Sequence, residues 1–117
     1  MHLIALDVDG TLASAGGLVD AAQIERAAKI ATWGILSSRS IEGSMEACKA
    51  LGVEPAFVEN CRVDMRCEEL KLLMERYPGA ETYIYVADRD VDRAEALRAG
   101  WDFRFHHRFG ELLEEIV

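Results

Sequence analysis

The stretch Leu3-Ile4-Ala5-Leu6-Asp7-Val8-Asp9-Gly10-Thr11-Leu12 decides how this chain is read. From Leu3 to Val8 the residues form a short apolar run without polar alternation, the pattern of a strand buried on both faces. It ends in Asp7 and Asp9, and carboxylates at i and i+2 share one side of an extended chain. Gly10 then permits a sharp turn. Outward from this point, apolar runs alternate with amphipathic segments. Residues 20–31 read as a helix with Ile24, Ala27, Ala28 and Ala31 on one face, and Asp20 with Gln23 supplies a capping box. Residues 32–36 read as a strand. A helix over 40–51 follows, with Ile41, Met45 and Cys48 on one stripe and Gly52 as its stop. Next come a short strand at 56–58 and a helix at 67–77 with Leu70, Leu73, Met74 and Tyr77 on one face, halted by Pro78-Gly79. A strand at 82–87, a helix at 91–99 ended by Gly100, a strand at 102–105 and a helix at 109–117 complete the chain.

Strict alternation of strand and helix predicts an α/β fold: three layers, Rossmann-like, with a five-stranded parallel sheet covered on both faces. Such sheets bind ligands beyond the carboxyl ends of their strands, at the point where strand order reverses. A chain of 117 residues suits a single domain, residues 1–117, with one sizeable core. The net charge of −8 supplies no general basic footprint for nucleic acid, although it leaves room for a local basic patch. Three cysteines, Cys48, Cys61 and Cys67, without CxxC spacing suggest neither a disulfide framework nor a zinc site, and a reducing cytoplasm is the simplest setting. The opening residues are too short and too soon acidic for a signal peptide. No apolar run approaches membrane-spanning length, so no membrane partner is expected.

Three chemistry-bearing groups fall at strand ends. The first strand ends in Asp7 and Asp9, the second in Ser37-Ser38-Arg39-Ser40, and the fourth in Asp88-Arg89-Asp90-Val91-Asp92. Carboxylates gathered at one sheet edge repel one another unless a cation lies between them, and hard oxygen ligands with open positions suit Mg²⁺. Each group alone is weak, since a single Asp at a strand end is most often a turn or cap residue. Their conjunction in this order carries the argument.

At these residues the chain resembles the haloacid dehalogenase superfamily. Asp7-Val8-Asp9-Gly10-Thr11-Leu12 matches that family's first motif, Ser37 stands where its second places Ser or Thr, and Asp88 with Asp92 matches the acidic fourth. The third motif is a basic residue ahead of the fourth strand; Lys71 fills it, with Arg66 as competitor and Arg62 behind. Ala87 precedes Asp88 where the family often has Gly. The resemblance implies that Asp7 is the nucleophile and Asp9 the general acid and base. It implies Mg²⁺ held by Asp7, the Asp9 backbone carbonyl and Asp88, with Asp92 in the surrounding shell orienting Lys71 or the metal ligands. Ser37 and Lys71 would bind the transferring phosphoryl group, beside Thr11 and Ser38.

The family usually carries an inserted cap domain. Here residues 13–19 make only a short flap and residues 59–66 a short loop, so a capless, open site is expected. An open site suits a phosphate on a large molecule, or a small one closed in by another subunit, so the chain is expected as a monomer or a homo-oligomer. The Leu36-Ser37-Ser38-Arg39-Ser40 stretch, the span from Arg66 to Lys71 and Ala87-Asp88-Arg89 are similar to the 3′-phosphatase domain of phage polynucleotide kinase. That similarity implies Arg39 and Arg89 flanking the mouth and gripping phosphates; the alternative is that both pair with acids such as Glu42 and Asp92. A receiver-type signalling domain has similar length and alternation, but it needs an acceptor Asp after the third strand and a Lys after the fifth. Glu59 and the His106-His107-Arg108 triplet stand there instead. A silent binding module of the same fold would be signalled by loss of Asp7 or Asp9, and both are present.

Overall fold

The computed structural model describes all residues, Met1–Val117. Strands β1 (His2–Leu6), β2 (Ala31–Ser37), β3 (Val58–Asn60), β4 (Thr82–Ala87) and β5 (Asp102–Phe105) alternate with helices α1 (Ala21–Ala28), α2 (Ile41–Leu51), α3 (Arg66–Arg76), α4 (Asp90–Arg98) and α5 (Phe109–Ile116). All strand pairs are parallel, and the sheet order is β3-β2-β1-β4-β5. The fold is the three-layer α/β arrangement with a five-stranded parallel sheet that the alternation predicts.

Period-two alternation along the strands divides the core in two. Ile4, Leu6, Ile35, Ile84 and Val86 face one layer, where they pack with Ile24, Cys48, Phe109, Leu112 and Leu113 from α1, α2 and α5. Leu3, Ala5, Leu36 and Tyr85 face the other, against Leu70, Leu73 and Ala96 of α3 and α4, together with Trp101. Trp101 is buried, and its indole N–H donates to the Leu70 carbonyl at 3.1 Å, so it is a core residue.

The caps expected of the helices are realised, but the stripe expected on α2 is not: Ile41 and Met45 are exposed, and the helix buries Ser44, Ala47 and Cys48 against the core instead. Asp20 accepts from the Gln23 N–H at 2.9 Å and Gln23 Oε1 accepts from the Asp20 N–H at 3.1 Å, closing both halves of the capping box. Ser40 Oγ caps α2 through the Gly43 N–H at 3.0 Å, and Gly52 ends that helix with φ +72. The third strand begins two residues later than its apolar run suggests. Phe57 explains this: its ring lies over Gly34, where an added Cβ would meet it at 2.4 Å. Phe57 therefore serves as core filling, and Val58 opens the strand by pairing with Ile35.

The chain steps outward from β1 to β2 to β3, then returns to β4 beside β1. The switch point is thus the crevice between the carboxyl ends of β1 and β4, where Asp7 and Asp88 follow the last strand residues. No domain is inserted beside it. The connection after β1 is a tight flap with a 3₁₀ turn at Ala13–Ala15, tied down by a bridge between Leu12 and Val19 and by Ser14 Oγ donating to the Ala47 carbonyl at 2.8 Å. The connection after β3 holds only the 3₁₀ turn Val63–Met65.

Candidate active site

Asp7 extends β1 by one hydrogen bond, its N–H donating to the Val86 carbonyl at 2.9 Å, which places its carboxylate in the crevice. Gly10 turns the chain with φ +74, and a Cβ there would stand 2.0 Å from Asp88 Oδ2. The glycine is therefore needed twice, for the left-handed turn and for the close approach of Asp88. One oxygen from each of Asp7, Asp88 and Asp92 lies within 4.8 Å of the others. Asp7, Asp9, Gly10, Ser38, Asp88 and Arg89 line a cleft of about 310 Å³ that contains no hydrophobic side chain.

Beneath the cleft lies Arg66, the first residue of α3, whose side chain is 0% exposed. Nη1 donates to Asp92 Oδ1 at 2.7 Å and to the Tyr85 hydroxyl at 2.9 Å. Nη2 donates to Ser38 Oγ at 2.9 Å and to the Cys61 carbonyl at 3.1 Å. Tyr85 in turn donates to the Leu36 carbonyl at 2.8 Å. Asp92, likewise 0% exposed, also accepts from Arg89 Nε at 3.3 Å. Two buried ions without partners would cost several kcal/mol each, so this pair holds only because nearly every lone pair and proton around it is used. Burial opposes the Arg66 charge, but the surrounding acceptors, Asp7 and Asp92 among them, outweigh it and raise its pKa.

Burial pushes the Asp7 carboxyl up to about 7, with Asp92 and Asp88 adding to the rise, against the Val8 backbone hydrogen bond and Arg66, which lower it. Asp88 Oδ1 is buried without any hydrogen-bond partner. An orphaned carboxylate oxygen beside a half-neutralised carboxyl is a site short of positive charge. The donor set fits a hard divalent cation: oxygen ligands only, with room for water.

Lys71 and Thr11 stand apart from the cleft. Lys71 lies on the exposed face of α3 and bonds to nothing in the site, whereas Arg66 occupies the interior place beside the carboxylates. The reason is helical phase: Arg66, Leu70 and Leu73 fall at i, i+4 and i+7 on the buried face, and Lys71 points away from it. That spacing was the available signal. Thr11 is fully buried with its Oγ1 unpartnered, so it does not reach the cleft; its backbone serves the flap, the carbonyl accepting from the Val19 N–H at 3.0 Å. Asp92 lies against Arg66 rather than Lys71.

Of the serines, Ser38 is exposed on the cleft wall. Ser37 is buried, its Oγ accepting from the Arg39 N–H at 3.0 Å and lying 3.4 Å from Ser44 Oγ. Asp9 and Arg39 stand at the mouth as an ion pair at 2.6 Å, with side chains 63% and 36% exposed. Arg39 thus pairs with Asp9, not Glu42. His106 is half-buried, and its Nδ1 accepts from the Leu18 N–H of the flap at 3.1 Å. Tyr85 escaped the sequence reading, because a tyrosine in a strand reads as a β-former.

The fold is a three-layer α/β arrangement with Asp7, Asp88 and Asp92 gathered at its switch point. Among solved structures it is similar to 3-deoxy-D-manno-octulosonate 8-phosphate phosphatase from Moraxella catarrhalis, in complex with magnesium ion, phosphate ion and KDO. The TM-score is 0.61 at 22% identity, over 84% of this chain and 63% of that one. The chain therefore spans less than two thirds of that protein's length, and what the two share at this identity is the fold. No protein-family profile and no curated protein sequence matches the chain. No helix is long and apolar enough to cross a membrane.

Proposed function

We propose that the chain is a Mg²⁺-dependent phosphomonoester hydrolase. The observation that carries this is the close grouping of Asp7 with Asp88 and its orphaned oxygen at the switch point, backed by the buried Arg66. The solved structure of similar fold belongs to a phosphatase in complex with magnesium and phosphate ions, which supports the reading. Asp7, Asp88 and the Asp9 carbonyl would hold the ion. Bound there, Mg²⁺ offsets the negative charge that opposes attack on an anionic ester.

An Asp7 carboxylate oxygen attacks phosphorus as the bond to the leaving oxygen breaks, giving an aspartyl phosphate. Asp9, at the mouth, would leave its ion pair as Arg39 turns to the phosphate, take up a proton from solvent and give it to that leaving oxygen. Water then attacks the phosphorus of the intermediate, Asp9 takes the water's proton, and phosphate leaves Asp7 restored. Arg66 would face the developing charge from below, where exclusion of solvent strengthens its effect, and Ser38 from the cleft wall. Arg39 and Arg89 flank the entrance and draw the phosphate in.

The substrate reading follows from the open mouth. With no inserted lid, the site accepts a phosphate at the end of something large, such as a nucleic-acid 3′-phosphate. A second reading is favoured by the KDO in the structure of similar fold: a sugar-phosphate phosphatase in which another copy of the chain closes the cleft. The test is phosphate release with Mg²⁺ from an aryl phosphate, sugar phosphates, nucleotides and a 3′-phosphorylated oligonucleotide, each also with Asp7→Asn. Release that disappears with chelator and in Asp7→Asn is expected, and the preferred substrate sets the class. A folded, Mg²⁺-binding protein that releases phosphate from none of them sinks the hydrolase reading and leaves a binding module.

A further inference from the structure

We propose that a groove along the open edge of β5 binds the nucleotides next to the phosphorylated end of a single-stranded nucleic acid, with Arg93 gripping a backbone phosphate and His107 taking a base. This rests on the hydrolase reading above and names its substrate class. The groove, of about 350 Å³, is lined by Phe103, Arg104 and Phe105 of β5, by Arg93 of α4 and by Arg108. No residue lines both it and the catalytic cleft. Charge singles out Arg93. The chain carries a net charge of −8, and every other arginine has a carboxylate partner. In the groove itself Arg104 pairs with Glu115 at 2.6 Å and Arg108 with Glu111 at 3.1 Å. Arg93 is exposed and pairs with nothing. Three arginines against two glutamates leave the groove an excess of positive charge in an acidic protein, which is the complement of an anion.

Aromatic rings supply the second half of the site. Phe103 and Phe105 meet edge to face at 5.0 Å, and His107 stacks on Phe105 with ring centroids 5.9 Å apart and planes 17° from parallel. His107 is exposed, so its ring is open to a base. Rings beside a cationic groove hold single strands without sequence preference, because every base has a face to stack.

The sheet leads this surface back to the cleft. Phe105 pairs with Ala87, the residue before Asp88, so the ring stack stands one strand over from the candidate metal ligands. Arg89 lines the cleft just ahead of α4, and Arg93 follows one turn on, about 6 Å along the helix axis. Arginines thus run from the cleft into the groove. A peptide added as a further strand is a poorer occupant, since strand addition needs free backbone groups on the edge. On this edge strand the Phe103 carbonyl already accepts from Arg104 Nη1 at 3.0 Å.

The test is fluorescence anisotropy of a labelled, unphosphorylated oligothymidylate with the Mg²⁺-loaded protein, which needs no turnover. Beside it, phosphate release is measured from an aryl phosphate and from the same oligonucleotide bearing a 3′-phosphate. Arg93→Glu is expected to weaken oligonucleotide binding at least about tenfold. Arg93→Ala is expected to flatten the slope of log affinity against log salt by about 0.7, the share of one phosphate on a single strand. His107→Ala is expected to weaken binding at least about fivefold through lost stacking, with that slope unchanged. The preference for the 3′-phosphorylated oligonucleotide over the aryl phosphate, as a ratio of kcat/KM, is expected to fall at least about tenfold in Arg93→Glu, through KM. Wild-type protein that hydrolyses the aryl phosphate yet binds no oligonucleotide would overturn the inference alone, as would binding that Arg93→Glu leaves within about twofold, less than a phosphate contact is worth. A wild-type dimer that Arg93→Glu dissociates in size-exclusion chromatography would also overturn it, by making the edge a contact between copies. Oligonucleotide binding that depends on Arg93, in a protein that releases phosphate from nothing, would overturn the hydrolase reading and support the groove.

Discussion

Stripping Mg²⁺ from the protein and raising the pH forces a charge onto Asp7 that the fold accommodates poorly, and the cost is measurable as lost stability. Burial moves the Asp7 carboxyl from 3.8 to about 7. At 1.36 kcal/mol per unit, a rise of about 3 units corresponds to about 4 kcal/mol. The sign follows from linkage. The folded state holds this proton more tightly than the unfolded chain, so between pH 4 and 7, roughly, folding takes up a proton and stability falls as pH rises. Below that window Asp7 contributes nothing; above it the full penalty applies. Asp7→Asn removes the titration while keeping the shape, so its stability minus that of wild type isolates this one group. In chelator, the advantage of Asp7→Asn over wild type is expected to grow by about 2–3 kcal/mol between pH 5 and pH 8. Urea unfolding followed by fluorescence of Trp33 and Trp101, both buried in the core, reads the difference. Adding Mg²⁺ at pH 8 is expected to stabilise wild type by mass action, and Asp7→Asn less. An advantage that stays flat from pH 5 to pH 8 in chelator would refute the reasoning, since Asp7 would then ionise without penalty.

Arg66→Ala leaves Asp92 buried with only Arg89 beside it and is expected to cost about 3–5 kcal/mol in urea unfolding, while Lys71→Ala, on the exposed face, should stay within about 0.5 kcal/mol. Gly10→Ala drives a methyl into Asp88 at a positive φ and should weaken Mg²⁺ binding by at least about tenfold by titration calorimetry, a loss of about 1.4 kcal/mol. Arg39→Ala breaks an exposed ion pair and should change stability by less than about 1 kcal/mol, yet raise KM for phosphate esters in a steady-state assay because the entrance loses a cation. Phe109→Ala empties a fully buried position and should cost about 3–5 kcal/mol, with the pH dependence of the Asp7→Asn difference unchanged.

What the sequence by itself determined is whatever depends on neighbours along the chain. Apolar runs and helical stripes located all five strands and all five helices, because burial imposes period two or 3.6 on local residues. The Asp20–Gln23 capping box and the Gly52 stop were legible for the same reason: their partners lie within one turn. Asp7, Asp9 and Gly10 could be read because a strand, a turn and two carboxylates are contiguous. Tertiary structure decided whatever depends on a meeting of distant segments. Lys71 and Arg66 carry the same charge five positions apart, and only the packing of α3 against the sheet shows which one turns inward. Ser37 and Ser38 are adjacent, and a strand's alternation sends them to opposite surroundings, so one is buried against Ser44 and the other receives Arg66. The part played by Tyr85 was invisible along the chain, because its hydroxyl joins β4 to β2 and to the start of α3 across the full depth of one layer. A hydrogen-bond count around a buried cation is a property of the assembled interior, where water cannot fill the missing bonds and each donor must find its acceptor in the protein.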